Sequence, residues 1–232
     1  MEIRPNCWIC GAEADSREHL AKASDLRQTF GAVSLSAPLY FRDGVGRSQR
    51  LGSVKSGRIK SEKVLCQRCN DTRTQPYDED WATLSSALAR RSTRVTGQNR
   101  IKLRQLFPGR ARIAARNIHL YFVKLFGCRI VGEKVPINVE PFARAIQTES
   151  LCDGLSLIFC RDATNNAKRH IFLSAIQAKQ VGSTIECAGW TYAVGRFFVE
   201  VMWFRHLRQF QGAKGHWRPD QNGTVIKLVA RE

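Results

Sequence analysis

Acidic residues are scarce in this 232-residue chain: 20 Asp and Glu stand against 37 Lys and Arg, a formal net charge of +17. The shortage is also local. From Trp81 to Gly132 there is no Asp or Glu, while eleven Lys or Arg fall in that span. A second basic stretch, Arg42 to Lys63, contains only Asp43 and Glu62. Such a field disfavours cationic partners and favours polyanions, because each phosphate neutralised releases condensed counterions. Long apolar runs are missing too. Nothing reaches the ~18 consecutive apolar residues of a membrane-crossing helix, so no membrane partner is expected. The N-terminus lacks a charged-then-apolar signal pattern, and a cytoplasmic location is expected. No repeat of 20–50 residues is present, which argues against a solenoid.

Cysteine, by contrast, is plentiful. Eight cysteines in a cytoplasmic chain rarely pair as disulfides. Four of them form two knuckles, Cys7-x-x-Cys10 and Cys66-x-x-Cys69, which predict a tetrahedral structural Zn²⁺ site. The 55 residues between the knuckles exceed the usual ribbon spacing and mark an inserted segment. A redox pair is the rival reading, and the basic, non-thioredoxin-like context disfavours it. Cys128, Cys152, Cys160 and Cys187 stand alone in apolar surroundings and read as small buried side chains.

Local patterning divides the chain. Residues 1 to about 75 are turn-rich, with a Gly/Ser/Arg-rich excursion from Gly44 to Ser61 that suits a hairpin or a mobile loop. "TQPYDEDWATLSSALARR" predicts a helix, with Pro76 and three acids in its first turns and Arg90 and Arg91 at its end. After Phe107-Pro108-Gly109 the spacing predicts an amphipathic helix of about 17 residues ending near Gly127, with Arg112, Arg116 and His119 on its polar side. A short helix is expected at Glu140 to Thr148. Beyond it, "LSLIFCR", "RHIFLSAI", "TYAVGRFFVEVMWF" and "TVIKLVAR" predict a mainly antiparallel sheet. The run from Arg196 to His206 reads as a central strand, apolar on both faces.

Zinc explains the cysteines but not Glu18-His19 or Asn70. The stretches "CWICG", "SREHL" and "VLCQRCND" together resemble the zinc-stapled HNH endonucleases of the ββα-metal superfamily, over about residues 5 to 80. In that pattern a Cys-x-x-Cys precedes an acidic-His pair at a strand end. A second Cys-x-x-Cys follows, with Asn or His directly after it at a helix start. The resemblance makes Cys7, Cys10, Cys66 and Cys69 the zinc ligands, Glu18-His19 the acidic-His pair and Asn70 the terminal position. Three features depart from the pattern: Glu replaces the more usual Asp, the middle Asn is not evident in "IKSEKVLCQRC", and the insertion from Ala21 to Lys63 is long. A bacterial or phage setting is also implied, in defence or DNA processing.

Phosphodiester hydrolysis needs a deprotonated water, charge relief at phosphorus and stabilisation of the leaving oxygen. His19 is the candidate general base. Glu18 and the Asn70 amide oxygen are the candidate ligands of one hard divalent cation, Mg²⁺ or Mn²⁺, distinct from the zinc. Asp71 and Asp78 are weaker candidates. Arg90, Arg91, Arg94, Arg100, Lys102, Arg104, Arg110, Arg112 and Arg116 are the expected phosphate contacts on double-stranded DNA. The expected fold is α+β: a zinc-bound ββα-metal module at 1–80, basic helices at 81–150 and mainly β structure at 151–232. A non-catalytic zinc ribbon binding DNA or RNA, and an RNase or nuclease subunit of a larger complex, are the alternatives. Homodimerisation is left open.

Overall fold

The computed structural model describes residues 5–42, 48–92, 99–162, 171–206 and 215–231. Its N-terminal part is two antiparallel strands followed by a helix. Strand β1 (Ser16–His19) leads through α1 (Ala23–Phe30) and a hairpin of β2 (Leu39–Arg42) and β3 (Ser48–Leu51) to β4 (Lys60–Leu65), which pairs with β1. The Gly44–Ser61 excursion therefore includes one arm of a hairpin, residues 43–47 lying outside the described ones. The insertion has a small core of its own around Leu26, Leu51, Val54 and Ile59. After β4 the chain makes a π-helical turn, Arg68–Arg73, and enters α2 (Gln75–Ser92) where the acidic first turn predicted a helix start.

Strand β5 (Arg100–Lys102) and the short α3 (Leu103–Leu106) lead into α4 (Ala111–Gly132). This helix differs from the amphipathic one expected. Seventeen of its 22 residues are buried, so it is the central helix of the molecule, with solvent-facing residues only at its ends. His119 lies on no polar side: it is fully buried, its Nε2 against the Leu155 carbonyl. Gly127 does not stop the helix. A Cβ there would lie 2.5 Å from the Trp8 ring, so the glycine lets the first knuckle pack directly on α4. Helix α5 spans Glu140–Thr148, as its pattern predicted.

The C-terminal part is a seven-stranded sheet built from β6 (Leu155–Asp162), β7 (Ile171–Leu173), β8 (Gln177–Val181), β9 (Thr184–Val194), β10 (Phe197–Phe204), β11 (His216–Trp217) and β13 (Val229–Arg231). All pairings are antiparallel except β13 on β6. "TVIKLVAR" divides between two sheets, because β12 (Val225–Lys227) pairs with β5 instead. Strand β10 is central, between β6 and β9, but only one of its faces is fully buried. Phe197, Val199 and Val201 face the helices, while Phe198, Glu200 and Met202 on the other face are half-buried. Helices cover one side of the sheet here. On that side Tyr192 of β9 and Phe122 of α4 both meet the Trp81 ring edge-on, at 5.6 and 4.8 Å.

One hydrophobic core runs from Cys7, Trp8 and Ile9 through α2 and α4 to the sheet and Leu228. The ββα unit thus shares its interior with the rest of the chain. No helix among the described residues is long and apolar enough to cross a membrane.

Candidate functional site

Two arrangements of chemically competent side chains lie side by side, and the first is the cysteine cluster. Gly11, at φ 78°, closes the first knuckle, with its N–H donating to the Cys7 carbonyl at 2.8 Å. The Trp8 N–H donates to the Val64 carbonyl at 3.1 Å and ties this knuckle to β4. In the second knuckle the Cys69 N–H points at Cys66 Sγ, 3.4 Å away. The four sulfurs of Cys7, Cys10, Cys66 and Cys69 lie within 4.8 Å of one another, and Cys10 and Cys66 approach to 3.6 Å. A tetrahedron with Zn–S bonds of about 2.3 Å has S···S edges of about 3.8 Å, so the donor set fits zinc. Burial raises the Cys7 and Cys69 thiols. Burial also acts upward on Cys10, but the Ala12 backbone and the three other thiols outweigh it and pull Cys10 down to about 7. Crowded thiols of this kind are compatible with a thiophilic cation. Of the lone cysteines, Cys128, Cys152 and Cys160 are buried as expected and Cys187 is half-buried.

The second arrangement is an open cleft of about 400 Å³ lined by Glu18, His19, Lys22, Arg27, Asn70 and Asp78, among others. His19 is the last residue of β1, and Asn70 sits in the π-helical turn that follows Cys66. The Asn70 N–H donates to the Cys66 carbonyl at 3.0 Å, so a cysteine of the cluster fixes its backbone. Its side-chain amide donates to Ser16 Oγ at 2.9 Å, and its Oδ1 accepts no hydrogen bond from the described residues. Glu18, His19 and Asn70, singled out together in the sequence, are thus brought to one cleft beside the cysteine cluster.

The His19 ring is half-buried, and its Nε2 is buried with no hydrogen-bond partner among the described residues. Burial lowers its pKa to about 4, helped by the nearby charges of Lys60 and Lys22. The imidazole is therefore neutral at pH 7 and keeps an acceptor nitrogen.

Glu18 has a different partner from the one the resemblance implies. Its Oε1 accepts the His19 N–H at 3.0 Å, and its Oε2 lies 2.6 Å from Nζ of Lys124. The same ammonium is 2.7 Å from Oδ2 of Asp78, whose Oδ1 holds Lys22 Nζ at 2.8 Å. A chain of alternating charges results: Glu18, Lys124, Asp78, Lys22. Lys124 is buried on α4, with a side chain 1% exposed. Burial alone would discharge it, but Glu18 and Asp78 together outweigh desolvation and hold its pKa above the usual lysine range. Desolvation likewise pushes Asp78 upward, and Lys124 and Lys22 overcome it to leave the carboxyl below its ordinary value. Glu18 is more deeply buried; desolvation raises it, with Lys124 opposing.

These contacts decide whether a hard divalent cation fits. Mg²⁺ is usually held through one or two free carboxylates in near-octahedral oxygen geometry. Of the three carboxylates lining the cleft, Glu18 and Asp78 are engaged by ammonium groups, and the exposed Asp71 and Asn70 Oδ1 are the oxygens left open. Glu18 and Asp78, so engaged, do not fit Mg²⁺ or Mn²⁺ as ligands. Among the described residues, only the four cysteines form a group of three or more His, Cys, Asp and Glu ligands within metal-binding reach.

The expected basic surface is less uniform than its sequence. Asp80 takes Arg110 bidentately at 2.8 Å, and Arg116 pairs with Glu149 at 2.9 Å. Arg90 and Arg100 are exposed but engaged in interactions of their own. Lys102, Arg104 and Arg112 are exposed. Arg94 and the side chain of Arg91 lie outside the described residues. The sequence reading missed Lys22, Arg27 and Lys124. For Lys124 a signal existed: a lysine inside "LYFVKLFGCRIV" has no polar face to occupy and must find a buried partner.

No family model matches the chain, and neither a curated protein nor a solved structure matches it.

Proposed function

We propose that the chain is a zinc-stapled endonuclease of the HNH type that hydrolyses phosphodiester bonds in DNA, within the cytoplasm of a bacterial or phage-infected cell. The observation that carries this reading is the meeting of Glu18, His19 and Asn70 in one cleft, on two antiparallel strands and a helix, against four clustered cysteines. A zinc ribbon that only binds nucleic acid has no need of that convergence.

In this reading the neutral imidazole of His19, at the cleft wall, accepts a proton from water as its oxygen attacks phosphorus. Glu18 holds the His19 backbone through Oε1, and Asn70 contributes an open amide oxygen at the cleft wall. Lys22 and Arg27 line the same cleft and offer positive charge to the phosphate oxygens as negative charge builds there. The resemblance implies a Mg²⁺ or Mn²⁺ ion on Glu18 and Asn70. Because Lys124 engages Glu18, proton transfer and charge relief are assigned to the chain's own groups. Lys102, Arg104 and Arg112 are the exposed charges best suited to bind the duplex backbone without reading sequence.

Plasmid relaxation, run with and without added Mg²⁺ or Mn²⁺, tests this. His19→Ala is expected to lower cleavage about 10²–10⁴-fold with DNA binding retained. Equal nicking by both proteins would remove His19 as the base. Binding without cleavage by the unaltered protein would favour the non-catalytic zinc protein.

A further inference from the structure

We infer that Lys124 is the resident cation of this cleft: its ammonium, delivered by the central helix, occupies the place between Glu18 and Asp78 that a divalent ion would need. The geometry is specific. One Nζ lies 2.6 Å from Glu18 Oε2 and 2.7 Å from Asp78 Oδ2, bridging the end of β1 to the first turns of α2. Lys22 completes the pairing on the more exposed side of Asp78. The two ammonium groups balance Glu18 and Asp78, so this pair of carboxylates keeps no net negative charge to draw Mg²⁺ from water, and Asp71 is the one unengaged acid of the cleft. A divalent ion entering here would face both ammonium groups at close range.

Placement argues against a passing contact. Lys124 rises from a stretch of α4 in which every residue from Asn117 to Ile130 is buried, so its side chain has no route to solvent. A lysine is retained in such a position only when it is paired. Its partners are the acid that the HNH-like pattern singles out and a second acid of the same cleft. Lys124 therefore acts as a positioning residue. It fixes Glu18 Oε2, leaving Oε1 to take the His19 N–H, and so sets the backbone that carries the imidazole. The reactive unit is then not confined to the N-terminal module, because α4 supplies a member of it.

The inference rests on reading this cleft as the reactive one, but its test does not depend on cleavage. Zinc-loaded full-length protein is titrated with Mn²⁺, and free Mn²⁺ is followed by electron paramagnetic resonance. The unaltered protein is expected to bind Mn²⁺ no tighter than roughly millimolar, with no change in Glu18→Gln. Lys124→Gln is expected to gain Mn²⁺ binding by at least about tenfold, lost again when Glu18→Gln is added. Micromolar Mn²⁺ binding by the unaltered protein that Glu18→Gln abolishes would overturn the inference, as would a folded Lys124→Gln that gains none. If Lys124→Gln does not fold, the comparison of unaltered protein with Glu18→Gln decides alone. A protein that cleaves no DNA but follows this Mn²⁺ pattern would sink the nuclease reading and leave Lys124 as the resident cation.

Discussion

The cysteine cluster and the neighbouring cleft are built from similar ingredients and reach opposite ends. Both gather anionic or potentially anionic groups, the cluster from the knuckle before β1 and the turn after β4, the cleft from β1 and the first turns of α2. In the cluster, four sulfurs crowd together within 4.8 Å of one another. In the cleft, two carboxylates are already compensated by lysines of the same chain. One site is arranged to take a cation from outside and the other carries its own. The difference teaches that an acidic residue beside a histidine is not, by its identity alone, a metal ligand. What matters is which charge the fold delivers to it.

The comparison is most forcefully broken at the cluster. Cys66→Ser, or exhaustive chelation, should release zinc and unfold the knuckles, with a loss on the scale of structural zinc binding, about 10 kcal/mol. Zinc content by atomic emission and thermal melting with and without chelator check this; a zinc-free protein melting unchanged would refute the Cys₄ site. The cleft comes next. Lys124→Met leaves Glu18 buried and uncompensated and Asp78 with Lys22 alone, and should cost about 3–5 kcal/mol in denaturant unfolding. Adding Glu18→Gln and Asp78→Asn should recover part of that loss, because the stranded charges are then gone.

The smallest effect sharpens the same distinction on the surface. Arg112→Ala should lower the salt dependence of DNA binding by about one unit of slope and leave stability unchanged. Arg110→Ala should instead destabilise by about 1–3 kcal/mol, since it strips a bidentate partner from buried Asp80. Equal salt slopes for the two variants would show that the ion pair does not withhold Arg110 from DNA.

Much of this was legible beforehand because it depends on short-range chemistry. The two knuckles are each encoded in four residues, and an acid-rich start followed by helical spacing places α2 within a residue or two. Asn70 stood out because it follows Cys69 directly, and its role was implied by the resemblance. The character of α4 was not. Its arginines suggested a polar side, yet the sheet, α2 and the first knuckle enclose its middle, so His119 and Lys124 are buried and Gly127 becomes a contact with Trp8. The acid-free span from Trp81 to Gly132 misled in a related way. Asp80, Glu149, Glu18 and Asp78 all lie outside it in sequence, and folding brings each to a basic residue within it.

The neighbourhood of Glu18, His19 and Asn70 was implied by the resemblance; by itself, the sequence determined the two cysteine knuckles, the helical middle and the antiparallel C-terminal sheet. These follow from spacing, periodicity and composition, which act over a few residues at a time. Only the tertiary structure decided that Glu18 meets Lys124. An ion pair between residues so far apart in the chain leaves no local pattern, and its strength comes from the low-dielectric interior that exists only once β1, α2 and α4 have packed together.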